Sequence, residues 1–364
     1  MKKYYTIILL FVALLSANHS FAQCEDVTVA SLTNPGPLNV ATLTEADGIR
    51  NGPDYMGATI YYPTDGTPPY SSIAIVPGFT ATPASVEEWG PFYASHGIVT
   101  IIIGTNSPFD FPEERALALL DALETLREEN IRASSPLEGD LDLDKFAVSG
   151  WSMGGGGAQR AAVLDNTIKG VVALCPFLFD PSVNHQSPVL LFSGEDDPTA
   201  PPAQHATLHY ENTPETTDKL LFEVAGGNHS VANTPTGANG LVGQIALSWL
   251  RLHVLEDDCY CPLLTEELLD NPSEASDIRT NIECAPILNV QEHTIATSIY
   301  PNPTQNRVTV AIENNVYFEV YSTLGQLLKK GSLTGTTKQI DLTDLVQGIY
   351  YIRINGETIK ILKN

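Results

Sequence analysis

Residues 145–160, KFAVSGWSMGGGGAQR, run an apolar, strand-like segment into a serine flanked by glycines, then add three more glycines where a helix should begin. Glycine is costly inside helices and strands, so this density on one turn implies a geometry that side chains would obstruct. Gly150-Trp151-Ser152-Met153-Gly154 has the form G-x-S-x-G. Set between a strand and a helix, that pattern makes a sharp turn that strains the serine backbone and exposes its hydroxyl. Neighbouring strands are expected to crowd the positions two before and two after the serine, hence Gly150 and Gly154. Gly155, Gly156 and Gly157 are expected to let the helix pack closely on the sheet. The helix N-terminus would lend its N–H groups and partial positive charge to an anion forming beside Ser152.

Apolar runs of strand length recur around this turn: SIAIVPG from Ser72, GIVTIIIGT from Gly97, GVVALCP from Gly170, PVLLFSG from Pro188 and KLLFEVAGG from Lys219. Their continuous apolar character predicts strands covered on both faces. Between them, PEERALALLDALETLREEN from Pro112, GAQRAAVLDN from Gly157 and GLVGQIALSWLRLHV from Gly240 have helical spacing. The alternation predicts an α/β fold with a mostly parallel, doubly wound sheet. After Cys284 the texture becomes short β-like runs separated by turns, which predicts a small separate β-sandwich.

A lone G-x-S-x-G is weak evidence; its context strengthens it. In such a fold a charge-relay set follows the order serine, acid, histidine. LLFSGEDDPTAPP supplies acids just past one strand, and LLFEVAGGNHSVAN supplies His229 just past the next. Ser152 is then the candidate nucleophile and His229 its general base, with a carboxylate orienting the imidazole. Asp196 and Asp197, with Glu195 beside them, compete for the third place, and the residues alone do not choose. An oxyanion would be held by the backbone N–H of Met153 and by one from the loop IVPGFTATPAS, where Phe79 after Gly78 is the natural donor and its ring flanks the cleft. The other histidines, at 19, 96, 185, 205, 209, 253 and 293, have no such context and read as structural.

Charge and cysteines narrow the partners. Of the net −24, residues 23–284 carry 10 basic against 37 acidic side chains, while residues 285–364 are nearly balanced. Nucleic acid and anionic membranes would be repelled by the central region. The start, MKKYYTIILLFVALLSANHSFAQ, has two lysines, an apolar run from Tyr4 to Leu15 and a small-residue cleavage site ending at Ala22. It reads as a secretory signal peptide over residues 1–22, the run being shorter than the roughly 20 residues of a membrane span. In an exported protein Cys24, Cys259, Cys261 and Cys284 can form two disulfides, and Cys175, inside an apolar run, reads as a buried free thiol. Cys259-Tyr260-Cys261 is too tightly spaced for a zinc knuckle, and neither metal nor cofactor is expected.

Taken together, AIVPGFTA, GWSMGGGG, DDPTAPP, GGNHSVAN and SDIRTNIEC resemble the bacterial cutinases and poly(ethylene terephthalate) hydrolases, α/β-hydrolases related to dienelactone hydrolases. The resemblance runs over residues 57–284. It implies that Asp197 is the carboxylate of the set, that Phe79 and Met153 form the oxyanion hole, and that Phe79, Trp151, Met153 and Phe177 line an open cleft for a polyester unit. Relatives commonly have tryptophan where Phe177 stands. Some brace the acid and histidine loops with a disulfide where this chain has Gly194 and Val231, so looser loops are expected. The C-terminal disulfide is retained through Cys284, with Cys259 or Cys261 as its partner. The last 66 residues, with SIYPNPTQNRVTV, VYSTLGQLLKKG and LVQGIYYIRI, resemble the C-terminal sorting domain of the type IX secretion system of Bacteroidetes. The expected organisation is signal peptide 1–22, hydrolase domain 23–286, linker 287–297 and sorting domain 298–364. The expected protein is a secreted or surface-held monomeric esterase whose partners are its ester substrate and the secretion machinery. Its rivals are a carboxylesterase for soluble esters and a non-catalytic surface-binding protein.

Overall fold

The computed structural model describes residues 24–270, 272–284, 298–311, 315–335, 338–354 and 357–364. The expected signal peptide and linker lie outside these residues. The chain divides into two compact units, residues 1–288 and 289–364.

The first unit is built on a nine-stranded sheet. Its strands are β1 (Val40–Thr44), β2 (Tyr55–Pro63), β3 (Tyr70–Val76), β4 (Ile98–Thr105), β5 (Leu141–Trp151), β6 (Gly170–Leu174), β7 (Val189–Gly194), β8 (Lys219–Val224) and β9 (Ala275–Thr280). Their spatial order is β1-β2-β4-β3-β5-β6-β7-β8-β9. The six from β4 to β8 run parallel, and β1, β2 and β9 are antiparallel additions at the edges. The helices are α1 (Trp89–Ser95), α2 (Pro112–Glu129), α3 (Met153–Leu164), α4 (Ala206–Asn212) and α5 (Leu241–His253).

Side chains of β3 alternate between two cores. Ile73 and Ile75 join Trp89, Phe92 and Trp249 on one face, while Ala74 and Val76 join Leu119, Leu123 and Ala158 on the other. The apolar runs are continuous because both faces are covered. From β3 the chain steps outward to β4, then returns past β3 to β5. Loops leaving β3 and β5 therefore diverge at a topological switch point, where open α/β sheets place their ligands. Val76 pairs with Gly150 there, so Gly78 and Ser152 emerge side by side.

Two disulfides join Cys24 to Cys259 and Cys261 to Cys284, which assigns Cys261 as the partner of Cys284. Cys175 is free and buried, as its apolar run implied. In the second unit a three-stranded antiparallel sheet, including Arg307–Val310, and a four-stranded one, including Val316–Ser322 and Gly348–Ile354, share one core. Val308, Val310, Val320, Ile340, Ile352 and Ile361 fill it, making the small β-sandwich expected there.

Candidate active site

Ser152 sits between β5 and α3 at φ 58° and ψ −120°, a conformation that only strong surrounding restraint maintains in a residue with a side chain. Three backbone bonds supply that restraint. Its N–H donates to Leu174 O at 2.9 Å, and its carbonyl accepts from Phe177 N–H at 2.9 Å and Gly156 N–H at 3.0 Å.

The glycines act by close approach, though not all in the expected way. A Cβ on Gly154 would lie 2.5 Å from Val76 O on β3, as expected of strand crowding. One on Gly150 would instead meet Gly154 itself at 2.4 Å, so these two glycines make room for each other. Gly155 abuts Pro176, Gly156 would place a Cβ 2.2 Å from Phe177 O, and Gly157 would place one 3.0 Å from Pro112 O. Gly155 thus lets the helix close on the sheet, where a Cβ would lie 2.9 Å from Gly150 O on β5, while Gly156 and Gly157 admit the loop after β6 and the start of α2.

His229 follows β8, and its Nε2 lies 2.8 Å from Ser152 Oγ. Its Nδ1 lies 2.6 Å from Asp197 Oδ2. Asp197 follows β7 and is buried. Burial pushes its carboxyl up, but hydrogen bonds from His229 and from the N–H groups of Ala200 and Thr199 outweigh that and hold it below the ordinary carboxylate value. The neighbouring acids work in the loop: Asp196 N–H donates to Gly227 O at 2.8 Å, and Glu195 accepts from Gly226 N–H at 2.8 Å. These bonds tie the acid and histidine loops together without a disulfide. Gly194 leaves no room for one, because a Cβ there would sit 2.4 Å from Gly227 O.

Phe79 N–H donates to no group among the described residues. The first helical bond of α3 is Gly156 to Ser152, which leaves Met153 N–H outside the helical ladder. The loop after β3 is pinned by Arg115, which is fully buried on α2. Its guanidinium donates to Pro77 O at 2.8 Å, Asp110 O at 3.0 Å and Pro108 O at 3.3 Å. Burial pulls its pKa down to about 10, so it stays charged at neutral pH. Trp151 is half-buried and donates its indole N–H to His229 O at 2.7 Å. Phe177 is half-buried with its ring 4.3 Å from that of His205. Among the described residues no cluster of His, Cys, Asp and Glu could hold a metal ion.

Sequence reasoning missed Arg115 and three exposed phenylalanines at 109, 111 and 179. The signal for the last was present: PFDFP and PFLF each place a Phe-x-Phe pair just past a strand.

A parallel sheet with a strained serine at its switch point, hydrogen-bonded through histidine to a buried aspartate, defines an α/β-hydrolase. Residues 15–284 match the PET hydrolase-like family, and the chain belongs to it. Membership places it among carboxylic ester hydrolases. It is 35% identical over 236 residues to a bis(hydroxyethyl) terephthalate hydrolase of Streptomyces coelicolor, covering 63% of this chain and 72% of that one. It is also 35% identical over 231 residues to cutinase 2 of Thermobifida cellulosilytica, covering 63% and 84%, and to cutinase est1 of Thermobifida alba, covering 63% and 75%. Residues 298–364 match a secretion system C-terminal sorting domain, which marks the protein for export, secreted or held at the cell surface. No described helix is long and apolar enough to cross a membrane.

Proposed function

We propose that the protein is an exported serine esterase that cleaves polyesters, cutin-like or aromatic, through a covalent acyl-enzyme. In this reading residues 1–22 are the signal peptide, 23–286 the monomeric catalytic domain, 287–297 a linker and 298–364 the sorting domain. The carrying observation is the continuous hydrogen-bonded line from Asp197 through His229 to Ser152. Ser152 Oγ attacks the ester carbonyl carbon as its proton passes to His229 Nε2, and Asp197 stabilises the imidazolium. The N–H groups of Phe79 and Met153 receive the oxyanion. Collapse breaks the carbon–oxygen bond, and the proton on His229 goes to the departing alkoxide. Water, deprotonated by His229, then attacks the acyl carbon, and the proton returns to Ser152 as the acid leaves. Phe79, Trp151, Met153 and Phe177 line the cleft. The names of the relatives support a polyester substrate.

The test is release of aromatic acid and monoester from amorphous poly(ethylene terephthalate) film, with p-nitrophenyl butyrate alongside and Ser152→Ala as control. Release by the parent alone supports the proposal. Hydrolysis of the butyrate without release from film would leave a carboxylesterase for soluble esters.

A further inference from the structure

Residues 225–240, between β8 and α5, carry His229 and hold no regular structure beyond the short turn Ala238–Gly240. A connection this long keeps one shape only where bonds from outside offset the entropy of ordering it. Before the histidine those bonds include two to the acid loop, Asp196 N–H to Gly227 O and Gly226 N–H to Glu195. At the histidine, half-buried Trp151 donates to His229 O. Beyond it, the first bond from outside the loop, among the described residues, runs from the indole N–H of Trp89 on α1 to Ala232 O at 3.2 Å. Trp89 and Ala232 are both fully buried.

Helix α1 is a firm base for that bond. Gly90 lets Tyr61 of β2 close on the helix, since a Cβ there would lie 2.4 Å from the tyrosine ring. Gly243 lets α5 close on it from another side, with a Cβ only 3.2 Å from Phe92 Cζ. The indole itself is stacked on Tyr93 at 5.0 Å and meets Phe92 edge-on at 5.8 Å. Packing alone does not require the bond: Trp249 is equally buried in the same core, and its indole N–H has no partner among the described residues. The hold on Ala232 is passed back along the loop by two overlapping turns. Val231 N–H donates to Asn228 O at 3.1 Å and Asn233 N–H to Ser230 O at 3.0 Å, so His229 and Ala232 belong to one interlocked piece.

We propose that Trp89 is a positioning residue for ester hydrolysis, fixing the Ala232 end of these turns so that His229 stays aligned between Asp197 and Ser152. The inference rests on the reading of His229 as general base. Transfer of the Ser152 proton needs Nε2 at hydrogen-bond distance, and the 2.8 Å observed leaves little slack. Released at Ala232, the turns would let the imidazole sample geometries in which that transfer fails. Surfaces that meet the ester would stay in place. The effect therefore falls on kcat and spares KM.

The experiment compares the full chain with Trp89→Phe and with Trp249→Phe, a matched substitution in the same core that removes no hydrogen bond. Two readouts are taken: kcat and KM on p-nitrophenyl butyrate, and amide hydrogen exchange of the peptide spanning residues 228–233. The proposal expects Trp89→Phe to lower kcat roughly fivefold at nearly unchanged KM, with faster exchange in that peptide. Trp249→Phe should stay within about twofold in kcat and leave the peptide's exchange as in the parent. Equal kcat losses in the two variants overturn the proposal, as does a parental kcat in Trp89→Phe or a change confined to KM. Should Trp89→Phe fail to fold, 3-benzothienylalanine placed at position 89 keeps the ring shape, lacks the N–H and carries the same expectations. His229→Ala separates the two readings. If it keeps parental turnover, the general-base reading fails and takes the proposal with it; if it is inactive while the Trp89 variant keeps parental kcat, the proposal alone fails.

Discussion

The indole of Trp151 donates a hydrogen bond to the carbonyl of His229 at 2.7 Å, so the residue preceding Ser152 holds the loop that carries its hydrogen-bonding histidine. The two rings lie 5.2 Å apart. Trp151→Phe keeps the ring contact and removes the bond, worth about 1 kcal/mol, or roughly fivefold in rate. The expected outcome is a kcat on p-nitrophenyl butyrate about five- to tenfold lower with KM nearly unchanged. A rise in KM alone would mean that Trp151 acts only by lining the cleft.

Arg115 acts on the same site from beneath. Its three carbonyl partners belong to the loops that carry Phe79 and Phe109, and Thr80 N–H links those loops again through Pro108 O at 2.7 Å. Arg115→Met takes the guanidinium from the buried carbonyl of Pro77, a cost of about 1–3 kcal/mol in stability. It should also lower kcat about tenfold by loosening the Phe79 N–H, with little effect on KM. Arg115→Lys should recover part of both. Equal kcat in the Met variant would show that the pinning is purely structural.

The continuous apolar strands, the three long helices and the serine turn were legible because each obeys a local rule. Burial on both faces, 3.6-residue spacing and glycine at points of close approach are all written in neighbouring residues. The edge strands β1 and β9, and β2 beside β1, were not, since YMGATIYYP and ASDIRT mix polar and apolar residues where only part of the strand is covered. Helix α1 was missed because WGPFYAS holds glycine and proline, and burial of Trp89, Phe92 and Tyr93 overrides that poor propensity. At the site, chain order suggested Ser152 and His229, but the competition between Asp196 and Asp197 is decided by which carboxylate reaches the imidazole. Arg115 was unreadable for a related reason: its partners are carbonyls, and carbonyls leave no mark in a sequence.

Three buried histidines should set the acid limit of stability. Burial lowers the pKa of His185 to about 4, His209 to about 3 and His253 to about 4, against 6.5 when unfolded. The unfolded chain therefore binds more protons between those values, so this stability is complete above pH 6.5 and is lost as pH falls toward 4. The melting temperature should drop steadily over that window. His209→Leu should flatten the slope whatever its effect at neutral pH; an unaltered slope would count against the assignment.

The Cys24–Cys259 disulfide closes nearly the whole first unit, its ends 235 positions apart in the sequence. Replacing both by serine should cost about 2–4 kcal/mol, a fall of roughly 5–15 °C in melting temperature. Burial pushes the Cys175 thiol well up. An aromatic disulfide reagent should therefore find one thiol per chain, and only after unfolding; reaction in the native state would contradict the burial.

The central claim is that Ser152 is the nucleophile. Treatment with a fluorophosphonate, followed by peptide mass analysis and a butyrate assay, tests it most directly. The account predicts one adduct per chain on the peptide containing Ser152, with activity lost in proportion, and no adduct in Ser152→Ala, whose turnover should be about 10⁴-fold lower or less still. Full activity in Ser152→Ala, or labelling at another residue with Ser152 untouched, would contradict it.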